Sequence, residues 1–420
     1  MNQYARWIAL FACLCAGWGV VHLPSLAQSQ AQSQAQSQAP SSASTQEAVR
    51  PEVGVALQAA HELMKAGKHK LALAKLREAD ALSDRTPYEN FILDRVRGSA
   101  AAGAGDDATA IRSFEDALAS GRLSPTEQRS TIEDLAAAAY RTKDYAKTIE
   151  STRRYFAQGG TSAQMLGLSA SARYLSGDYA GVVRELQARL DGQPAIAADE
   201  KTLRLMVASQ GKLGDDVGYA SALERLLVHY PSKAYWADRL ARLQNQVDFA
   251  DRLTLDLMRL QFATDTLDGT EQYVEMAQLA LRAGLPAEAR RVVEAGYAAG
   301  KLGSGVDAAR HQQLREVTIK QSADDEKQTN AEADARNADA MVALGQSWVM
   351  KGQFDKGIAL MQQGLAKGGL KRLDDAQLHL GQAWLMAGKT APAIAAFKSV
   401  RGSDGAADLA RLWAIRAARP

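Results

Sequence analysis

Apolar residues recur every three or four positions over most of the chain from Val53, and the clearest such stretch is 341–397. Met341, Leu344, Gly345 and Trp348 fall on one stripe, which predicts an amphipathic helix with its apolar side buried. Gly352 then stops the period, because glycine takes the left-handed conformation that ends a helix, and a second helical period follows it. The pattern is written twice. Leu344-Gly345-Gln346-Ser347-Trp348-Val349-Met350-Lys351-Gly352 returns 36 residues later as Leu380-Gly381-Gln382-Ala383-Trp384-Leu385-Met386-Ala387-Gly388, with six of nine residues identical. Behind each copy, Ile358 and Met361 are answered by Ile394 and Phe397. Small residues Gly345, Gly357, Gly381 and Ala393 sit on the inward stripes, where larger side chains would hold the two helices apart.

The same hairpin recurs in weaker form upstream. Gly67, Gly105, Lys143, Gly177 and Gly214 are turn residues spaced 38, 38, 34 and 37 apart, and Pro231 ends the fifth unit. Gly284 and Gly352 lie 70 and 68 residues further on, so each gap holds one degenerate unit, at 234–264 and 306–337. In the second of these, Asp324, Asp325, Glu326, Glu332 and Asp334 thin the apolar stripe, which predicts a long solvated helix or a hinge. The register gives about ten hairpins, closed by an amphipathic helix at 406–418 whose Leu409, Leu412 and Trp413 cover the last unit.

A large-small pair and an aromatic on the first helix, glycine at the turn, and small then large residues on the second resemble the tetratricopeptide repeat. The resemblance implies an all-α, α-α superhelix, a solenoid whose inner wall is formed by the first helix of every unit. On that geometry the groove residues in the first part include His61, Met64, Lys65, Arg95, Ser99, Glu133, Tyr140, Arg141, Tyr174, Arg204 and Lys212. Gln278, Leu281 and Arg282 follow, and the last two units add Val342, Gln346, Val349, Met350, Leu378, Gln382, Leu385 and Met386. Gln346 and Gln382 are equivalent, as are Met350 and Met386. Amides can bond a peptide backbone and methionines adapt to varied side chains, so the partner-binding site is expected here. Trp348 and Trp384 fall at core positions. The chaperone-binding clamp of some relatives needs Lys, Asn and Arg on consecutive units. Arg95 alone could serve, with Ser99 where an amide belongs, so that activity does not carry over.

The start of the chain changes the setting. Arg6, an apolar run from Trp7 to Val21 and Ser25-Leu26-Ala27 form a secretory-signal pattern over 1–27, too short to span a bilayer comfortably, since that needs about 20 residues. Retention as an anchor, or lipidation at Cys13, is the alternative. Gln/Ser/Ala-rich residues from Gln28 to Thr45 have little to bury and form a spacer within a linker, 28–52. Repeats then occupy 53–305, the charged segment 306–337, the clear pair 338–403 and the cap 404–420. Cys13 and Cys15 both lie in the signal, so the mature chain has no thiol and suits an oxidising compartment. Removing 1–27 leaves 49 basic against 48 acidic residues from 50 against 48, a balance that argues against nucleic acid as partner.

Catalytic chemistry is thin. His22, His61, His69, His229, His311 and His379 are scattered, without HExxH, P-loop or nucleophile elbow. No cofactor, metal or enzymatic activity is expected. The sequence predicts an exported, periplasmic or secreted scaffold that holds a protein segment in its groove within an envelope or secretion assembly. A carbohydrate-handling accessory of an exopolysaccharide or secretion machine is the alternative, weakened by having only Tyr140 and Tyr174 as inward aromatics.

Overall fold

The computed structural model describes residues 47–192, 199–327 and 337–418. The predicted signal, most of the linker and the end of the charged segment lie outside the described residues. The described residues are all-α, with twenty α-helices and no strand among them, joined as hairpins of the tetratricopeptide-like kind. They divide into two compact units, one running to Asp178 and the other formed by Tyr179–Asp191 and the chain from residue 198.

The first unit contains α1 (Pro51–Lys65), α2 (His69–Asp80), α3 (Pro87–Ala104), α4 (Asp107–Ala119), α5 (Pro125–Arg141), α6 (Tyr145–Ala157) and α7 (Ala163–Leu175). The first helices of its three hairpins each begin with proline, whose missing N–H costs nothing at that position. Thr86 with Glu89, and Ser124 with Glu127, close reciprocal caps on α3 and α5. Arg50 precedes α1 without a side-chain cap of its own. Instead its N–H and guanidinium donate to the buried Glu89 carboxylate at 2.9 Å, stapling the entry of α1 to the start of α3. Hydrogen bonds from Arg50, joined by that from Thr86, hold Glu89 down to about 2. First helices pack side by side, α1 on α3 and α5 on α7, as a hairpin stack requires. Second helices fill the other layer, with Leu76, Phe114 and Phe156 buried. The turn residues Gly67, Gly105, Lys143 and Gly177 all adopt positive φ, with Lys143 at 62° in the one unit that lacks glycine there.

The second unit runs α8 (Tyr179–Gly192), α9 (Glu200–Leu213), α10 (Asp216–His229), α11 (Lys233–Gln244), a 3-10 turn (Asp251–Leu253) and α12 (Thr254–Ala263). It continues through α13 (Thr270–Arg282), α14 (Pro286–Ala298), α15 (Ala308–Lys327), α16 (Ala338–Met350), α17 (Phe354–Lys367), α18 (Leu373–Met386), α19 (Thr390–Ser399) and α20 (Ala406–Ala417). The degenerate unit at 234–264 is therefore a real helix pair. The charged segment supplies one long helix, α15, which is not wholly solvated: His311, Thr318 and Ser322 are buried, and Arg315 pairs with Glu294 on α14 at 2.7 Å. In the duplicated hairpins Gly345 and Gly357 let two backbones touch, since a methyl on Gly345 would lie 2.6 Å from the Gly357 carbonyl oxygen. Gly381 does the same work differently, making room for the Phe397 ring. Trp348 is buried as the sequence predicts, and Lys356 lies 3.9 Å over its ring.

The last helix departs from an open stack. α20 covers α18 and α19, with Trp413 stacked on Phe397 at 6.1 Å, but its other side packs on α10 and α12. Leu409 and Leu412 are fully buried in one cluster with Leu240, Leu243, Leu257 and Leu260. The C-terminal end thus returns to helices some 170 residues earlier, as the Arg239 to Asp408 pair shows, the two standing 169 positions apart in the chain.

Candidate partner-binding surfaces

The inner row of α18 does not face open space. Asp375, His379 and Gln382, spaced to lie on one side of the helix, meet Arg252 from the 3-10 turn and Asp256 from the start of α12. Arg252 donates to both Asp375 oxygens at 2.9 and 3.0 Å and to Asp404 at 2.6 Å. The Asp256 carboxylate takes His379 Nε2 at 3.0 Å and Gln382 Nε2 at 3.2 Å. Arg259 donates to Asp256 at 2.8 Å and, through two parallel bonds of 2.8 and 2.7 Å, to the buried Glu288 on α14. Burial alone would raise the Asp256 carboxyl, but His379 and Arg259 outweigh it and hold it well below the usual carboxylate range. These charges are removed from water, and they are tolerable there only because each has a partner.

A second set fastens α20. Fully buried Arg239 on α11 donates to Glu224 on α10 at 2.9 Å, and Arg411 reaches the same carboxylate at 2.7 and 3.0 Å while also pairing with Asp408. The Ala250 N–H donates to the Asp404 carbonyl at 3.0 Å, tying backbone to backbone.

The expected groove of the clear pair is corrected on this evidence. Leu378 and Gln382 are buried, and the chain's own α12 occupies the place expected for a partner. Val349 is buried inside the α16 and α17 hairpin with Ile358 and Met361. Leu385 and Met386 are partly buried against the two apolar clusters, and Met350 has the Arg291 guanidinium 3.9 Å from its sulfur. Gln346 is partly exposed, so the structure does not bring the two equivalent glutamines to one open surface.

On the first unit, the outward side of α3 carries Ile92, Val96 and Ser99, and that of α5 carries Glu133, Asp134, Ala137, Tyr140 and Arg141, all at least partly open to solvent. The predicted cations are already engaged. Arg95 pairs with Glu127 at 2.9 Å across the seam between α3 and α5, and Arg141 with Asp107 at 2.6 Å. Tyr140 lies beside the Tyr145 ring at 6.0 Å. Arg204 is exposed on α9, in the other unit. Sequence reasoning missed Asp134. Although the residue is exposed, desolvation raises its carboxyl to about 6, with Glu133 adding to the rise and Arg141 opposing it. Two adjacent carboxylic residues on a first helix were the available signal.

Among the described residues no cluster of three or more His, Cys, Asp or Glu side chains is placed to hold a metal, and no helix is long and apolar enough to cross a membrane. No family model matches the chain, and no curated protein does. Solved structures similar to it include a tetratricopeptide repeat protein from Parabacteroides merdae, 12% identical over 79% of this chain and 98% of that one, with a TM-score of 0.34. The pentatricopeptide repeat protein PPR10 from maize is 15% identical over 82% of this chain and 52% of its own, with a TM-score of 0.35. A structure of Naa15/Naa10 bound to HypK-THB is 14% identical over 85% of this chain and 58% of that one, with a TM-score of 0.28.

Proposed function

We propose that the chain is a non-catalytic scaffold of an exported compartment that binds a protein segment along the first-helix side of its N-terminal unit. The observation that carries this reading is the solvent-accessible face of α3 and α5, which carries apolar Ile92 and Val96 together with polar Ser99 and Asp134. Such a face suits an extended or helical segment, because side chains can seat between neighbouring helices while the backbone stays solvated. The C-terminal unit supports the same view by example, since its inner row already grips a helix, the chain's own α12, through charged hydrogen bonds. The signal-like pattern at 1–27 supports an exported setting.

A photo-crosslinking side chain at Ser99 in the full chain, expressed in its own cell, tests this reading. Crosslinking to a defined segment of another envelope protein, absent when the probe is moved to exposed Leu71 on α2, is the expected result. Equal labelling at both positions, or none at Ser99, overturns it.

A further inference from the structure

The residues just ahead of the first helix are themselves fastened down. Residues 47–50 are not helical, and Arg50 stands at φ −60° and ψ 148°, the extended conformation that Pro51 favours in the residue before it. The Arg50 N–H and guanidinium donate three bonds of 2.9, 2.9 and 3.0 Å to Glu89 at the start of α3, and the same guanidinium reaches the Ser83 carbonyl at 3.3 Å. Three residues back, Glu47 takes two bonds from Arg122, just ahead of α5, and the Arg122 guanidinium lies 5.8 Å over the Tyr88 ring. An extended chain advances about 3.3 Å per residue, so three residues span about 10 Å, close to the separation of packed neighbouring helices. The segment thus passes from the start of α1 by that of α3 to the turn ahead of α5. It also meets α1 where that helix is least secured, since α3 and α5 have complete capping boxes and α1 has no side-chain cap.

Taking only its setting from the exported-scaffold reading above, we propose that residues 47–50 form a tension-bearing strap: a pull arriving through the N-terminal end of the chain is delivered to α3 and α5 and bypasses the uncapped first turn of α1. The deciding bond is made by the main chain. Because the Arg50 N–H itself donates to Glu89, a pull on residue 49 is resisted by α3 before the first turn of α1 is loaded. Three donors bear on one buried carboxylate, which also accepts the Thr86 N–H, so dislodging it undoes the cap of α3 as well. The Glu47 to Arg122 pair is open to water and forms the weaker outer stop. Glu89 ionises near 2, so the strap keeps its charged acceptor at neutral and mildly acid pH.

The test holds the full chain at constant force in optical tweezers, with one handle at the C-terminal end and the other either at the N-terminal end or in the exposed Gly67 turn between α1 and α2. Forced opening reads an unfolding rate. With the N-terminal handle, release of the α1 and α2 hairpin is expected to become about tenfold faster in Arg50→Ala, the change that loss of one charged hydrogen bond brings. With the Gly67 handle the same variant should open at the parent's rate. Equal acceleration in both geometries would mean that Arg50 only stabilises the hairpin and bears no tension, and an unchanged rate in both would mean that the strap carries no force; either overturns the inference. Glu47→Ala, at an exposed site, gives the same comparison with a smaller expected effect should Arg50→Ala fold poorly by circular dichroism. The scaffold reading is decided separately by the Ser99 crosslink, so either can fail without the other.

Discussion

His379 on α18 and Asp256 on α12 stand 123 residues apart in the chain and 3.0 Å apart in space. Asp256 also takes Arg259 and Gln382, so its removal leaves a buried guanidinium short of one acceptor and two further donors without a carboxylate. Breaking one side of such a buried network costs about 3–5 kcal/mol. Asp256→Ala is expected to lower the stability of the C-terminal unit by that amount in urea titration, and Asp256→Asn by less. A change below about 1 kcal/mol would show that the closure rests on apolar contacts alone.

Glu89 and Asp134 predict opposite pH responses. Glu89 ionises near 2 in the fold against 4.5 when free, so its contribution is present above pH 4.5 and lost as pH falls towards 2. Glu89→Gln should therefore narrow the stability gap to the parent progressively over that acid range, as read by thermal melts at stepped pH. Asp134 ionises near 6 against 3.8, so its stabilising, protonated form is lost as pH rises through 6. Asp134→Asn is expected to raise the melting temperature at pH 7 and to make no difference below about pH 4.

Glycines at two helical positions should respond with opposite sign. Gly345→Ala pushes a methyl against the Gly357 carbonyl, with backbone on both sides, and is expected to cost about 1–3 kcal/mol. Gly54→Ala in α1 meets nothing within 4 Å and should stabilise by about 0.5–1 kcal/mol through helix propensity alone. Chemical denaturation of the two variants decides whether close backbone approach, and not helix propensity, governs the duplicated hairpin.

Lys143 offers a gain. Its φ of 62° is strained for a residue with a Cβ, while the neighbouring turns use Gly67, Gly105 and Gly177 at the equivalent place. Lys143→Gly is expected to stabilise the N-terminal unit by about 0.5–1 kcal/mol, net of the greater freedom glycine has when unfolded. An unchanged denaturation midpoint would mean that the lysine side chain offsets the strain.

Much of the fold was legible because its cause is local. Hairpin turns follow from glycine at a regular interval, the end of α10 from Pro231, and the α16 and α17 contact from paired glycines that leave room for close backbone approach. The register even located the helix pair at 234–264, where the apolar pattern is weak. The candidate site was less legible, because its occupancy is decided by pairs distant in sequence. Nothing in the spacing around Gln382 tells that Asp256, 126 residues earlier, takes its amide. Nor does the pattern of α3 or α5 reveal that Arg95 and Arg141 are spent on neighbouring carboxylates while Asp134 is left alone. Ion pairs of this kind depend on register between helices, which periodicity fixes only to within a turn.

A linear array of helix pairs frays from its tips inward, each pair held only by its neighbours. With α20 fastened to α10 and α12, the C-terminal half has no loose tip from which to unzip. Its last hairpins gain protection from proteases and from stepwise melting that their own sequence does not confer, and they cannot be lengthened or shortened by a repeat without undoing the clasp.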